Sequence, residues 1–321
     1  MHLSVVGAGV LGRIYGVRAA AAMVSTSRPR VTFVTRPARL RDTAAFAIEQ
    51  INGAHAKHTI DAPDRVATVP ADATAVLVAV RFEEVQGLDQ DLVALLRAAP
   101  ASAPLLVVTP LLPSVRGQLE GAIGRRVVPS MPGAVGYLDD RGVVRYWLPK
   151  VVATLFEEET PLRHAVEDVA RALTDAGVPS RLERGVEALD AATTVGFFPL
   201  LAAIDAGGGV DSLLEHRDLL STALDAAKET EALAKKVGRP APWASILTKF
   251  VGPFTIKPGI ALARKLAPEA VHFVEQHFGP KLHAQHVAMG EAILAIARDR
   301  GQPMPALAKL MLAVRARAAR P

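Results

Sequence analysis

Residues 7 to 12 read Gly7-Ala8-Gly9-Val10-Leu11-Gly12, directly after the apolar run Leu3-Ser4-Val5-Val6. A strand that runs into G-x-G-x-x-G and then into a helix builds a phosphate-binding corner. Gly7 permits the tight turn. Gly9 has no side chain, so a pyrophosphate can approach the backbone. Gly12 lets the helix pack close to the strand. The helix N-terminus, opened by Val10 and Leu11, then points free N–H groups at the anion. A ligand-free glycine turn is the bland alternative, but here the flanks are right on both sides.

The first half of the chain alternates strand and helix signals. Leu3–Val6, Val31–Val34, the continuous apolar run Ala75–Val80, Leu105–Val108 and Val127-Val128 read as strands. Val10 to about Met23 and Phe82–Leu96 read as helices between them. Apolar runs of this kind suit strands buried on both faces, and the alternation predicts a doubly wound parallel sheet. Ala134–Tyr137 and Val143–Leu148, joined by Asp139-Asp140-Arg141-Gly142, predict an antiparallel hairpin. Val151–Phe156 adds a strand, and Pro161–Ala176 reads as a helix that stops at Gly177.

From about Glu183 no strand signal remains. Gly185–Ala206, Leu213–Val237, Pro258–Ala267, Pro268–Phe278, Lys281–Arg300 and Met304–Arg317 all carry helical spacing, separated by Gly and Pro clusters. The expected fold class is α/β: a doubly wound dinucleotide-binding domain over residues 1–182, then an all-helical domain over 183–321 for substrate and dimerisation.

The end of the second strand indicates which dinucleotide fits. An acidic residue there accepts from a ribose 2′-hydroxyl and favours NAD, whereas an arginine favours the 2′-phosphate of NADP. The chain has Thr35-Arg36, with Arg39 one turn later and no Asp or Glu from Val31 to Arg41. A guanidinium pairs with phosphate in a fork and keeps its charge. Arg36 therefore points to NADP(H). Arg81 and Thr109 follow the fourth and fifth strands, where ligands of open α/β sheets sit, and join the candidate coenzyme contacts.

Composition narrows the classes. The absence of cysteine excludes disulfides, thiolate zinc sites, iron–sulfur clusters and a cysteine nucleophile. Net charge is +5, but basic residues are dispersed and aromatics are only 5%, which argues against a nucleic-acid surface. A mild positive balance suits anionic ligands. The longest uncharged apolar stretch, Ala191 to Ile204, is short of a bilayer span. With no signal-peptide pattern, a cytoplasmic protein without a membrane partner is expected.

Together the N-terminal glycine motif, the arginine after the second strand and the helical second half resemble the ketopantoate reductase (2-dehydropantoate 2-reductase) family. Arg81 stands where the family's fourth strand ends in lysine. Thr193-Thr194-Val195-Gly196-Phe197-Phe198-Pro199-Leu200-Leu201-Ala202 resembles its interdomain helix. Gly290 and Gly301-Gln302-Pro303-Met304-Pro305 resemble a later helix and its close. The resemblance implies a Rossmann domain, a helical domain and an active site in the cleft between them. It also implies that the chain is divergent. Aligned on Pro199, the family's acid lysine falls on Asp190 and its asparagines on Thr194 and Phe198. The Asn-Gly after the fifth strand is Thr109-Pro110, and the late glutamate falls near Gln285.

An ionised Asp190 cannot protonate an alkoxide, so a substrate other than ketopantoate is expected. His277-Phe278-Gly279-Pro280-Lys281-Leu282-His283-Ala284-Gln285-His286 is the densest polar cluster. Lys281 near a helix start is a candidate proton donor, its pKa eased down by the helix dipole. Asp190 and Thr194 are the other candidate catalytic residues, as contacts to the substrate. Zinc on His277, His283 and His286 lacks ligand spacing, so no metal is expected. The leading expectation is an NADP(H)-dependent oxidoreductase reducing a small carbonyl or imine compound, with a possible homodimer through the helical domain. The rival is a catalytically inactive NADP(H)-binding sensor or interaction protein. An opine-type dehydrogenase, which shares the two-domain plan, is a further class.

Overall fold

The first five-residue strand of the chain lies in the middle of its sheet, not at an edge. A computed structural model describes residues 1–22, 29–53, 55–150, 152–242, 255–266, 272, 274 and 282–318. They form two compact units, Met1–Glu187 and Ala188–Pro321.

In the first unit, strands β1 (His2–Val6), β2 (Arg30–Val34), β5 (Arg65–Val66), β6 (Ala75–Val78), β7 (Leu105–Val107) and β8 (Val128–Met131) pair in the order β5-β2-β1-β6-β7-β8. All five pairings are parallel. This order, reversing direction between β1 and β6, is that of a doubly wound dinucleotide-binding sheet. Two more strands extend it: β11 (Thr154–Glu157) pairs antiparallel to β8, and β12 (Ser180–Glu183) parallel to β11. β1, β6, β7 and β8 are buried along their whole length, as their apolar composition requires when helices cover both faces.

A second sheet of four strands has the order β4-β3-β10-β9, with β3 at Phe46–Gln50, β4 at Lys57–Ile60, β9 at Val135–Leu138 and β10 at Val144–Trp147. The hairpin expected from the turn Asp139–Gly142 is its β9–β10 pair, and the Asp139 carboxylate accepts the N–H groups of Arg141 and Val143 in the turn. Helix α1 (Val10–Ala21) packs against strands of both sheets, so it is apolar nearly all round. Ile14, Tyr15, Phe33, Phe46, Tyr146 and Phe156 anchor the shared core.

Two expected helices are split. Phe82–Leu96 is α2 (Phe82–Gln86) and α3 (Gln90–Ala98), because Leu88 takes a positive φ and the Asp89 carboxylate starts a new helix by accepting the Leu92 N–H. The chain continues with α4 (Pro113–Ile123) and α5 (Arg163–Asp175), and Gly177 at φ +77° ends the latter turn.

In the second unit only helices occur among the described residues. α6 (Val186–Gly207) carries Pro199 inside it, which removes one helical hydrogen bond. It runs 22 residues and is long and apolar enough to cross a bilayer, so it exceeds the apolar stretch seen in sequence. Its Ala191, Ala192, Val195, Phe198, Ala202 and Ala203 are buried in the protein core. Expected helix Leu213–Val237 is α7 (Val210–Glu215) and α8 (Arg217–Val237), separated at His216, whose ψ of 83° lies outside the helical range. Two later helices, His283–Asp299 and Pro305–Ala318, follow Ile256–Leu266. The last is started by Pro305 and by Glu229 of α8, whose carboxylate accepts the N–H groups of Ala306 and Leu307. Of the expected helix Pro268–Phe278, only residues 272 and 274 are described, both helical; the rest lies outside the described residues.

Candidate functional site

The glycine corner lies at the carboxyl end of β1, where the strand order reverses. Gly7 adopts φ +94°, and a Cβ on it would stand 2.5 Å from the Ala79 carbonyl oxygen at the end of β6. Gly12 is buried against the turn and β1: a Cβ there would meet the Gly7 carbonyl oxygen at 1.9 Å and Val5 Cγ1 at 3.2 Å. Gly9 differs. It is exposed, and a Cβ on it would find nothing within 4 Å. The first and third glycines are thus required by the protein's own packing, while the second faces open space.

Gly9 is the N-cap of α1, and no side chain caps this helix. Its first turn holds no acidic residue. The N–H groups of Val10 and Leu11 therefore have no intrahelical acceptor, and the helix dipole adds partial positive charge at this point. Arg13, one turn on, donates from Nε to the Ala8 carbonyl at 3.0 Å. Its guanidinium lies 4.4 Å from the centre of the Phe46 ring, and that of Arg65 lies 4.5 Å from the same centre. Burial, then Arg65, lowers the Arg13 pKa, with Asp42 opposing and Arg39 adding to the effect. Positive charge is crowded beside the corner. Arg13 escaped the sequence reading because it lies inside a helix and only the fold brings it to Ala8 and Phe46.

Arg36 follows β2 and is largely exposed, and its guanidinium pairs with the Glu84 carboxylate of α2. Arg81 precedes α2, with Nη1 3.6 Å from Glu83 Oε1. Among the described residues, the second Glu83 oxygen, Oε2, is buried without a hydrogen-bond partner, as is the Thr35 hydroxyl next to Arg36. Thr109 is buried, and its hydroxyl donates to the Val80 carbonyl at 2.6 Å, tying the ends of β6 and β7. That bond uses the hydroxyl's only proton, so Thr109 shapes the strand ends and has only acceptor capacity left for a ligand. Gly7, Gly9, Val10, Leu11, Gly12, Arg36, Arg81 and Thr109 all follow or flank the carboxyl ends of β1, β2, β6 and β7. A pyrophosphate fits this donor set, with free helix N–H groups, space over Gly9 and nearby guanidinium groups.

In the second unit, Asp190 is almost fully buried on α6 and Thr194 half-buried one turn later. The Thr194 hydroxyl has no partner among the described residues, whereas the neighbouring Thr193 hydroxyl donates to the Leu189 carbonyl and accepts the Ala241 N–H. Phe198 has no exposed surface. Lys281 and His277 lie outside the described residues. His283 and His286 do not stand free: each Nδ1 lies 3.0 Å from Asp205 Oδ2, and Arg317 pairs with Oδ1 of the same carboxylate. Burial raises the Asp205 pKa, but hydrogen bonding and charge from His286 and then His283 outweigh it and hold it below the usual carboxylate value. Among the described residues, no group of three or more His, Asp or Glu side chains is arranged to hold a metal ion.

No family model and no curated protein matches the sequence. Solved structures do match its fold. A PanE/ApbA family ketopantoate reductase from Ralstonia eutropha JMP134 superposes with a TM-score of 0.68 at 18% identity, covering 98% of each chain. A 2-dehydropantoate 2-reductase from Geobacter metallireducens GS-15 gives 0.66 at 18% identity, covering 98% of this chain and 99% of the other. D-mandelate dehydrogenase, in a ternary structure with NADH and anilino(oxo)acetate, gives 0.64 at 14% identity over 98% of each chain. The fold implied by the resemblance to ketopantoate reductases is the fold observed, along nearly the whole chain.

Proposed function

We propose that the chain is an NADP(H)-dependent oxidoreductase acting on a small carbonyl or imine compound other than ketopantoate. One observation carries the reading: an uncapped helix N-terminus faces open space over Gly9, in a corner whose other two glycines are wedged against backbone. Structures sharing this fold are described as reductases or as a dehydrogenase with NADH, which favours hydride chemistry over other uses of a nucleotide.

The N–H groups of Val10 and Leu11 would hold the pyrophosphate, with Arg13 adding charge beside it. Arg36 would take the 2′-phosphate of the coenzyme. When bound, the coenzyme would supply hydride chemistry at the substrate carbon. Asp190 and Thr194 contact the substrate, Thr194 through a hydroxyl that has no partner among the described residues. The Lys281 ammonium donates the proton to the reduced oxygen or nitrogen. The Asp190 carboxyl group suits a substrate amine or imine nitrogen as a hydrogen-bonding partner.

Purified full-length protein should bind NADPH and oxidise it with at least one member of a panel of 2-oxo acids, aldehydes, ketones and imines. Tight binding without turnover on the whole panel would replace the enzyme with a nucleotide-binding sensor. Absence of binding would remove both.

A further inference from the structure

The loops that follow β2 and β6, the two strands flanking β1, are joined by one side-chain pair. Arg36 Nη2 donates to Glu84 Oε1, and Glu84 Oε2 accepts the Arg81 backbone N–H at 3.0 Å. Both carboxylate oxygens are therefore engaged. The Glu84 side chain is 25% exposed and that of Arg36 75%, so a short anchored acid holds a long exposed base. Arg81 and Glu83 stand beside them, paired at 3.6 Å. The four charges sum to zero.

This changes what the end of β2 offers a ribose. The guanidinium suited to a 2′-phosphate is already matched by a carboxylate. A 2′-phosphate must displace Glu84 from Arg36 or sit against it, and like charges at that distance repel. A free 2′-hydroxyl meets the opposite situation, because an ionised carboxylate is a strong acceptor for O–H. The acid that usually reads this hydroxyl follows the second strand. Here a carboxylate from the first turn of α2, Glu84, stands against the arginine that follows the second strand.

We propose that Glu84 sets the coenzyme preference of this chain, restraining Arg36 so that NADH competes with NADPH. The inference rests on the nucleotide reading of the glycine corner. Glu84→Gln is the informative variant, because its amide oxygen can still accept the Arg81 N–H while the charge is gone. Dissociation constants of NADPH and NADH are measured by coenzyme fluorescence on the full-length protein and the variant. The NADPH-over-NADH affinity ratio should rise about tenfold in Glu84→Gln. Arg36→Gln should lower that ratio while NADH binding is kept, and this variant serves if the first fails to fold. An unchanged or lower ratio in Glu84→Gln, or equal loss of both coenzymes in Arg36→Gln, overturns the role of Glu84 and leaves the nucleotide site standing. Failure of the unaltered protein to bind either coenzyme overturns the nucleotide reading itself, and this inference with it.

Discussion

A methyl group placed on Gly12 would stand 1.9 Å from the carbonyl oxygen of Gly7. The helix can approach the strand only because that methyl is missing. Gly12→Ala must push α1 away from β1, and overpacking of this kind costs about 1–3 kcal/mol. Gly9→Ala meets no atom, so it should cost at most about 1 kcal/mol, the scale of an N-cap change. Both should weaken coenzyme binding. Urea denaturation beside NADPH titration separates them: Gly12→Ala loses stability and binding, and Gly9→Ala loses binding with its fold intact.

Tyr15 joins α1 to the far side of the main sheet. Its hydroxyl lies 2.8 Å from Thr154 Oγ1 on β11 and accepts the Gly133 N–H at 3.2 Å. Burial pushes its pKa up to about 12, partly offset by hydrogen bonds from Thr154 and from the Gly133 and Ala134 backbone. Tyr15→Phe should cost about 1 kcal/mol, because Gly133 keeps Thr154 as an acceptor at 3.1 Å. Burial also raises the Tyr146 pKa, so ultraviolet titration should show two late-ionising tyrosines in the unaltered protein and one fewer in the variant.

Asp205 collects His283, His286 and Arg317 at a site with no exposed carboxylate surface. Asp205→Ala leaves those donors without their acceptor and should destabilise the helical unit by about 3–5 kcal/mol. The folded pKa lies below the unfolded value of 3.8. The carboxylate's contribution is therefore present above that value and is lost as pH falls through the folded pKa. Acid unfolding followed by circular dichroism should show a shallower acid limb in the variant.

A second pH dependence comes from His58. Its Nε2 lies 2.8 Å from Arg18 Nη1, and since guanidinium only donates, Nε2 accepts and the ring is neutral. Burial, then the Arg18 charge, holds its pKa below 6.5. Stability from this contact is complete above pH 6.5 and declines as pH falls through the folded value. Urea midpoints should fall on acidification in that window, and His58→Gln should flatten the curve there.

The main sheet was legible because its central strands are buried on both faces and read as unbroken apolar runs. The strands that escaped notice are mostly at edges. β4, Lys57-His58-Thr59-Ile60, and β12, Ser180-Arg181-Leu182-Glu183, each border one sheet and carry the polar residues that edges tolerate. β5 is two residues long and β3 is a single Phe-x-Ile alternation. The breaks at Leu88 and His216 were missed for different reasons. Gly87 and Asp89 are visible stop and start signals, whereas nothing local marks His216. In the site, the glycines and Arg36 were legible as motif positions. Glu84 was not, because its meaning comes from a pairing 48 residues away in sequence. The Asp205 cluster joins residues about 80 apart, so its histidines read as scattered.

Isothermal titration calorimetry of NADPH and NADH into the intact chain, repeated with Gly9→Ala, tests the glycine corner most directly. One coenzyme should bind per chain, with affinity strongly reduced in the variant although it remains folded. Heat changes absent for both coenzymes, or identical binding in Gly9→Ala, would show that this corner does not hold a dinucleotide.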